Sequence, residues 1–251
     1  MFDKLEADVL FLDGNYKLAA DMYLEGARAG DALAAFNYGY CLWRGAGRDY
    51  DPAEAKSFFA FARDLQGGAA CYNLAMLYLY GEGVSQNFSK ALEYMKISAD
   101  MKCVEAELYM GMAYTLGCMF DPDVIGISLI PYHKPEYRNT NAFLLEGDVY
   151  DPEGEDARFS VIKADARSAF EYFRAAARHA DVTYIEELVA KGKYLYAKCF
   201  LDGLGTEFDR QKGTRLMLLA GKSGSGEAIA YLAENGFTPE KILAAGRKEG
   251  S

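Results

Sequence analysis

Histidine and proline are scarce in this chain, with 2 and 6 residues among 251. So few prolines leave long stretches free to be helical, because proline breaks helices. So few histidines leave a zinc site poorly supplied, and no metal or cofactor is expected. The five cysteines are Cys41, Cys71, Cys103, Cys118 and Cys199. Their number is odd, their spacing is irregular and no CxxC pair occurs. That argues against a disulfide framework and for free buried thiols in a reducing compartment. No apolar run approaches the roughly 18 residues of a membrane helix, so membrane insertion is not expected. The opening MFDKLEADVLFLDGNYK carries acids early and an apolar run of only Val9 to Leu12. A signal peptide needs a basic start and a longer apolar stretch, so the expected location is the cytoplasm. Positive charge is in deficit, with 27 Lys and Arg against 37 Asp and Glu. Nucleic-acid binding requires a basic stripe that displaces counterions from phosphate, and no nucleic-acid partner is expected.

What is present is a repeat. Gly45, Gly81 and Gly117 are 36 residues apart, and so are Ala34, Ala70 and Ala106. Gly39, Ala75 and Gly111 keep the same step, as do Leu42, Tyr78 and Tyr114. A second set lies between them: Ala19, Ala55 and Ala91; Tyr23, Phe59 and Met95; Gly26, Ala62 and Ser98. Ala34, Tyr38 and Leu42 are four residues apart, which places them on one helical face. The small residues at Gly39, Ala75 and Gly111 let a neighbouring helix approach closely. The GxG turns Gly45-Ala46-Gly47 and Gly81-Glu82-Gly83 end one helix where glycine adopts positive φ most easily. Asp51-Pro52 opens the next, with Asp as N-cap and Pro at the first helical position.

The register breaks after Gly117 and resumes late. ARSAFEYFRAAAR at 166–178 resembles SKALEYMKISAD at 89–100, with Ala169 in the place of Ala91. The step there is 78 residues rather than 36, so 124–163 is an insertion. A further unit follows with Ala197, Phe200 and the turn Gly203-Leu204-Gly205. A short helix through Ala228, Leu232 and Ala233 stops at Asn235-Gly236, and Thr238-Pro239-Glu240 starts a last helix that reads as a cap.

Residues 70–100 resemble a Sel1-like repeat: Ala70, Tyr72, Asn73, Leu74, Tyr78, Gly81, Gly83, Val84, Lys90, Ala91 and Tyr94 match its pattern. The N-terminal piece LFLDGNYKLAADMYLEGARAGD is closer to a tetratricopeptide repeat. The resemblance implies an all-α, right-handed α-α superhelix, a solenoid of helix pairs. The chain is then one domain, 1–251. Its parts are a tetratricopeptide-like pair at 1–30 and repeats at 31–66, 67–102, 103–123 plus 164–182, and 183–224, with capping helices at 225–251. A Cys-rich secreted subgroup of the family carries a disulfide in each repeat. Cys71 and Cys103 have no repeating Cys mates, so this chain departs from it. The family resemblance implies protein–protein interaction as a scaffold or adaptor; no residue set in the sequence reads as an active site, so catalysis is not expected.

By analogy with tetratricopeptide repeats, the first helix of each pair lines a concave groove that takes a partner peptide or domain. The residues beside its packing face are Phe36, Asn37, Tyr40, Trp43 and Arg44 in the first repeat, and Tyr72, Asn73, Met76 and Tyr80 in the second. They are Tyr109 and Met112 in the third, and Tyr194 and Lys198 in the fourth. Tyr, Trp, Arg and Met are enriched at interfaces, and Asn37 and Asn73 carry amides that can bond a peptide backbone. Trp43 and Arg44 stand at a helix end, where exposure is expected. At single positions the bland alternative is core packing.

The insertion reads as a strand over 124–130 and a hairpin about DPEGED at 151–156. Its acids Asp148, Asp151, Glu153, Glu155 and Asp156 lack the spacing of a calcium loop and read as solvated. AGKSGSGE at 220–227 lacks the leading Gly and the strand of a phosphate loop. His133 and His179 have no catalytic partner visible in sequence. Two other functions stay open here: an enzyme or small-ligand binder using the insertion as a lid with His133 as base, and a self-associating structural subunit.

Overall fold

A computed structural model describes residues 2–117, 162–179 and 186–238. Among them all regular secondary structure is helical, and the fold is all-α. The insertion apart from Ile162 and Lys163, with its expected strand and hairpin, its acids and His133, lies outside the described residues. So do Cys118 and the expected last helix from Pro239 onward.

The described residues fall into two compact units. The first contains α1 (Lys4–Leu12), α2 (Tyr16–Arg28), α3 (Ala32–Arg44), α4 (Pro52–Gln66), α5 (Gly68–Tyr80) and α6 (Phe88–Asp100). The second contains α7 (Val104–Leu116), α8 (Ala166–Ala176), α9 (Glu186–Asp202), α10 (Arg210–Lys222) and α11 (Gly226–Glu234). Within each unit, helices packed against each other are mostly sequence neighbours, the pattern of stacked helical repeats.

Local signals set the helix ends. Asp31, Asp51, Asn87, Asp165, Asp209 and Ser225 each accept a backbone N–H of the first turn. Each such cap is worth about 1 kcal/mol. Pro52 occupies the first turn of α4, where its missing N–H costs nothing. Gly45 and Gly81 cap α3 and α5 at φ 60° and 74°.

The joints of α3 with α4, α5 with α6, α7 with α8 and α9 with α10 are each closed by one recurring backbone bond. The N–H of Asp51 donates to the Leu42 carbonyl at 3.0 Å, and that of Asn87 to Tyr78 at 2.9 Å. In the second unit Asp165 donates to Tyr114 and Asp209 to Phe200, both at 2.9 Å. The side chains repeat as well. Tyr78 stacks on Tyr94 at 5.7 Å between ring centroids, and Tyr114 on Tyr172 at 5.8 Å. Thus α8 packs on α7 as α6 packs on α5, although α8 follows the insertion.

Glycine sets the spacing between elements. A Cβ on Gly111 of α7 would collide with the Phe173 ring of α8, and one on Gly39 of α3 would meet Phe59 of α4 at 3.0 Å. The second glycine of the GxG turn does similar work. Gly83, at φ +63°, lies against the backbone of Pro52 and Ala53 at the start of α4. Gly205 lies in the same way against Ala166 at the start of α8.

Helix α5 shows what the sequence pattern alone leaves open. From Gly68 to Tyr80 it holds no charged residue, and Ala70 through Tyr80 are all buried. A helix apolar on every side has no solvent face to present.

Candidate interaction surface

Helix α3 has one side that is partly open to solvent. Ala34, Ala35, Tyr38, Gly39, Cys41 and Leu42 are buried. Phe36, Asn37, Tyr40 and Arg44 are half-buried, and Leu33 is exposed. Their spacing of three and four residues puts these five on one side of the helix.

Several contacts fix that side. Asn37 Nδ2 donates to Asp8 Oδ1 of α1 at 3.4 Å, and the Tyr23 hydroxyl of α2 donates to the same oxygen at 2.8 Å. Lys4 pairs with the other oxygen of Asp8. The Tyr40 ring meets Phe11 edge-on at 6.3 Å, and the Arg44 guanidinium lies 5.9 Å from the Tyr40 centroid. Burial raises the Tyr40 phenol above its ordinary range. Burial also raises Tyr23, and its bond to Asp8 adds to the effect. The raised Tyr23 phenol keeps its proton and donates it to Asp8.

Trp43 is not on this face. The sequence places it at an exposed helix end, but only 3% of it is exposed. Its ring packs edge-on against Phe59 of α4 at 6.0 Å. Its indole N–H donates to the carboxylate of Glu82, itself 5% exposed, in the Gly81–Gly83 turn. The turn of the next repeat covers the end of α3, and helix position alone cannot show that.

The equivalent positions on α5 are closed. Tyr72, Asn73, Met76 and Tyr80 are 3%, 5%, 0% and 1% exposed. Asn73 is therefore not positioned in this structure to bond a peptide backbone from solvent.

In the second unit Tyr109 of α7 is fully buried and Met112 half-buried. On α9, Lys191, Tyr194 and Lys198 share a half-buried side. Lys191 pairs with Glu227 of α11 at 3.2 Å, and Lys198 with Asp202 at 2.9 Å. The Lys198 ammonium also sits 5.7 Å from the Tyr231 ring. Burial raises the Tyr194 phenol, while the Lys198 charge opposes that shift.

One pairing was invisible in sequence. His179 Nε2 lies 2.8 Å from Glu107 Oε2, and Glu107 is 1% exposed. The two are 72 residues apart, so no local pattern announces the contact. The described cysteines, Cys41, Cys71, Cys103 and Cys199, are buried free thiols. Among the described residues no cluster of His, Cys, Asp or Glu is arranged to hold a metal ion, and no helix is long and apolar enough to cross a membrane.

The GxG turns, the recurring N-cap bonds and the stacked tyrosines together define one helix-pair type. The Sel1 repeat profile matches residues 12–31, 32–66, 68–103, 158–181 and 190–225, more than half of the sequence. The chain belongs to the Sel1 repeat family. A Sel1 repeat protein from Oxalobacter formigenes has a similar fold, with a TM-score of 0.64 at 18% identity over 97% of this chain and 82% of that one. A putative Sel1 repeat protein from Klebsiella pneumoniae subsp. pneumoniae gives a TM-score of 0.44 at 15% identity over 91% and 88%. The likeness to the Oxalobacter protein, at 18% identity, is one of fold alone. No curated protein matches the sequence. Sel1 repeats generally act in protein–protein interaction, and the family is a non-catalytic scaffold family.

Proposed function

We propose that this Sel1 repeat protein is a scaffold that holds a partner peptide or domain on the first-helix faces of its pairs. In the first unit the contact residues are Phe36, Asn37, Tyr40 and Arg44. In the second unit Met112, Tyr194 and Lys198 have the corresponding role. The open side of α3 carries the reading: two half-buried aromatic rings, an amide and a guanidinium line up beside the exposed Leu33. Such rings are held by their neighbours before a partner arrives, so little side-chain freedom is lost on binding. Arg44 resting near the Tyr40 ring supplies the aromatic and arginine types that dominate interface energetics.

The test is quantitative affinity capture from native lysate with the wild-type chain and with Tyr40→Ala/Arg44→Ala. The expected result is a set of proteins enriched on wild type and lost from the variant, whose far-ultraviolet circular dichroism stays unchanged. Equal capture by both chains would remove α3 from the binding surface.

A further inference from the structure

The chain is acidic as a whole, yet its structure gathers positive charge on one side of the second unit. Each second helix of the first unit is balanced: α2, α4 and α6 carry two basic and two acidic residues apiece. Helix α10 carries Arg210, Lys212, Arg215 and Lys222 and no acid. Gly213, Met217, Ala220 and Gly221 are its buried side. Lys212, Arg215, Leu219 and Lys222 are exposed and follow one another at steps of three and four, which makes a single outward stripe. Leu219 is 40% exposed, and Phe208, just before the helix, is 66% exposed.

A ring cluster ties this stripe to α8. Phe170, Tyr196 and Phe200 lie in mutual contact at 5.3 to 5.6 Å between centroids. The Lys212 ammonium rests 4.1 Å from the Phe200 centroid, and the Arg167 and Arg174 guanidinium groups rest 5.6 and 5.9 Å from that of Phe170. Both arginines share one carboxylate, Glu171. The Asp209 carboxylate caps α10 by accepting the Lys212 backbone N–H at 2.9 Å. Cations held over ring faces are preorganised and still present donors outward.

We propose that this side of α8 and α10 docks an acidic protein segment, rich in Asp and Glu, with an apolar residue seated on Leu219. It is a second surface, independent of the α3 face. Charge complementarity favours this occupant. A short acidic segment responds to charges within the screening length of about 8 Å, and so to the local patch rather than the net charge of the chain. A nucleic acid or an anionic membrane extends well beyond the patch and meets the acidic surface of the rest of the protein.

The test is fluorescence anisotropy on the full chain with a short labelled peptide of Asp and Glu around one Phe. The comparison probes are its Asn/Gln counterpart, a single-stranded oligonucleotide and phosphatidylserine vesicles. The acidic peptide should bind alone among the four, and weaken steeply as salt rises. Lys212→Gln/Arg215→Gln should weaken it by about tenfold, while Lys17→Gln/Lys96→Gln, in the balanced helices α2 and α6, should leave it unchanged. Circular dichroism confirms that both variants are folded. The proposal fails if the acidic peptide does not bind, if the amide peptide binds equally, if the α10 variant binds as wild type does, or if the oligonucleotide or the vesicles bind more tightly.

Discussion

Trp43 offers the sharpest test of the structure, because helix position and tertiary packing give opposite expectations for it. An exposed tryptophan at a helix end could be truncated at almost no cost in stability. The buried indole described above fills a space between Phe59 and the Gly81–Gly83 turn, and its N–H serves the Glu82 carboxylate. Truncating a large aromatic in a packed core costs about 3–5 kcal/mol. Removing one donor from a buried carboxylate adds about 1–3 kcal/mol. Trp43→Ala should therefore cost roughly 4–8 kcal/mol, a large part of the 5–15 kcal/mol, roughly, that holds a domain folded. Trp43→Phe keeps most of the volume and loses the donor, so about 1–3 kcal/mol is expected. Arg44→Ala, next along the chain and half-buried, should cost under about 1 kcal/mol. Urea unfolding followed by circular dichroism at about 222 nm, where helical signal is strong, measures all three. Trp43 is the only tryptophan in the chain, so wild-type fluorescence independently reports unfolding around this site. An unchanged urea midpoint for Trp43→Ala would refute the packing described and return Trp43 to the surface.

Gly83→Ala should cost about 2–5 kcal/mol, since it combines strain at φ +63° with a Cβ 2.6 Å from the Pro52 carbonyl carbon. Gly224→Ala has similar strain at φ +94° but nothing within 4 Å, so it should cost only about 1–2 kcal/mol; equal urea midpoints for the two would show that the turn does not press on α4. His179→Ala removes the imidazole beside buried Glu107 and should lower stability by about 1–3 kcal/mol, with His179→Gln recovering part of it through an amide donor. Burial pushes the Cys41 and Cys199 thiols up to about 12. A raised value keeps each thiol protonated, with about one part in ten thousand as thiolate at pH 8. Peptide mapping after iodoacetamide treatment at that pH should find both unmodified in the native chain and alkylated in urea; rapid native alkylation would contradict their burial.

The helix-pair design was legible in the sequence because its signals are local. A glycine that must adopt positive φ, an Asp before a Pro and a small residue facing a ring each act within a few residues or at one fixed period. Gly45, Gly81, Asp51 and Gly39 could therefore be assigned roles before any coordinates. Much of the binding face was not legible. Asn37 and Asn73 stand at the same place in successive repeats, yet Asn37 is half-buried and bonded to Asp8 while Asn73 is buried. Periodicity shows which residues share a side of a helix, not whether another element covers it.

By itself, then, the sequence determined the repeat, several helix ends and the family, since backbone preference and apolar spacing are properties of short segments. Only the tertiary structure decided that Trp43 belongs to the core, that Glu107 meets His179, and that the basic stripe of α10 joins the arginines of α8. Those outcomes depend on which distant surfaces come together, and burial and charge pairing arise from that meeting.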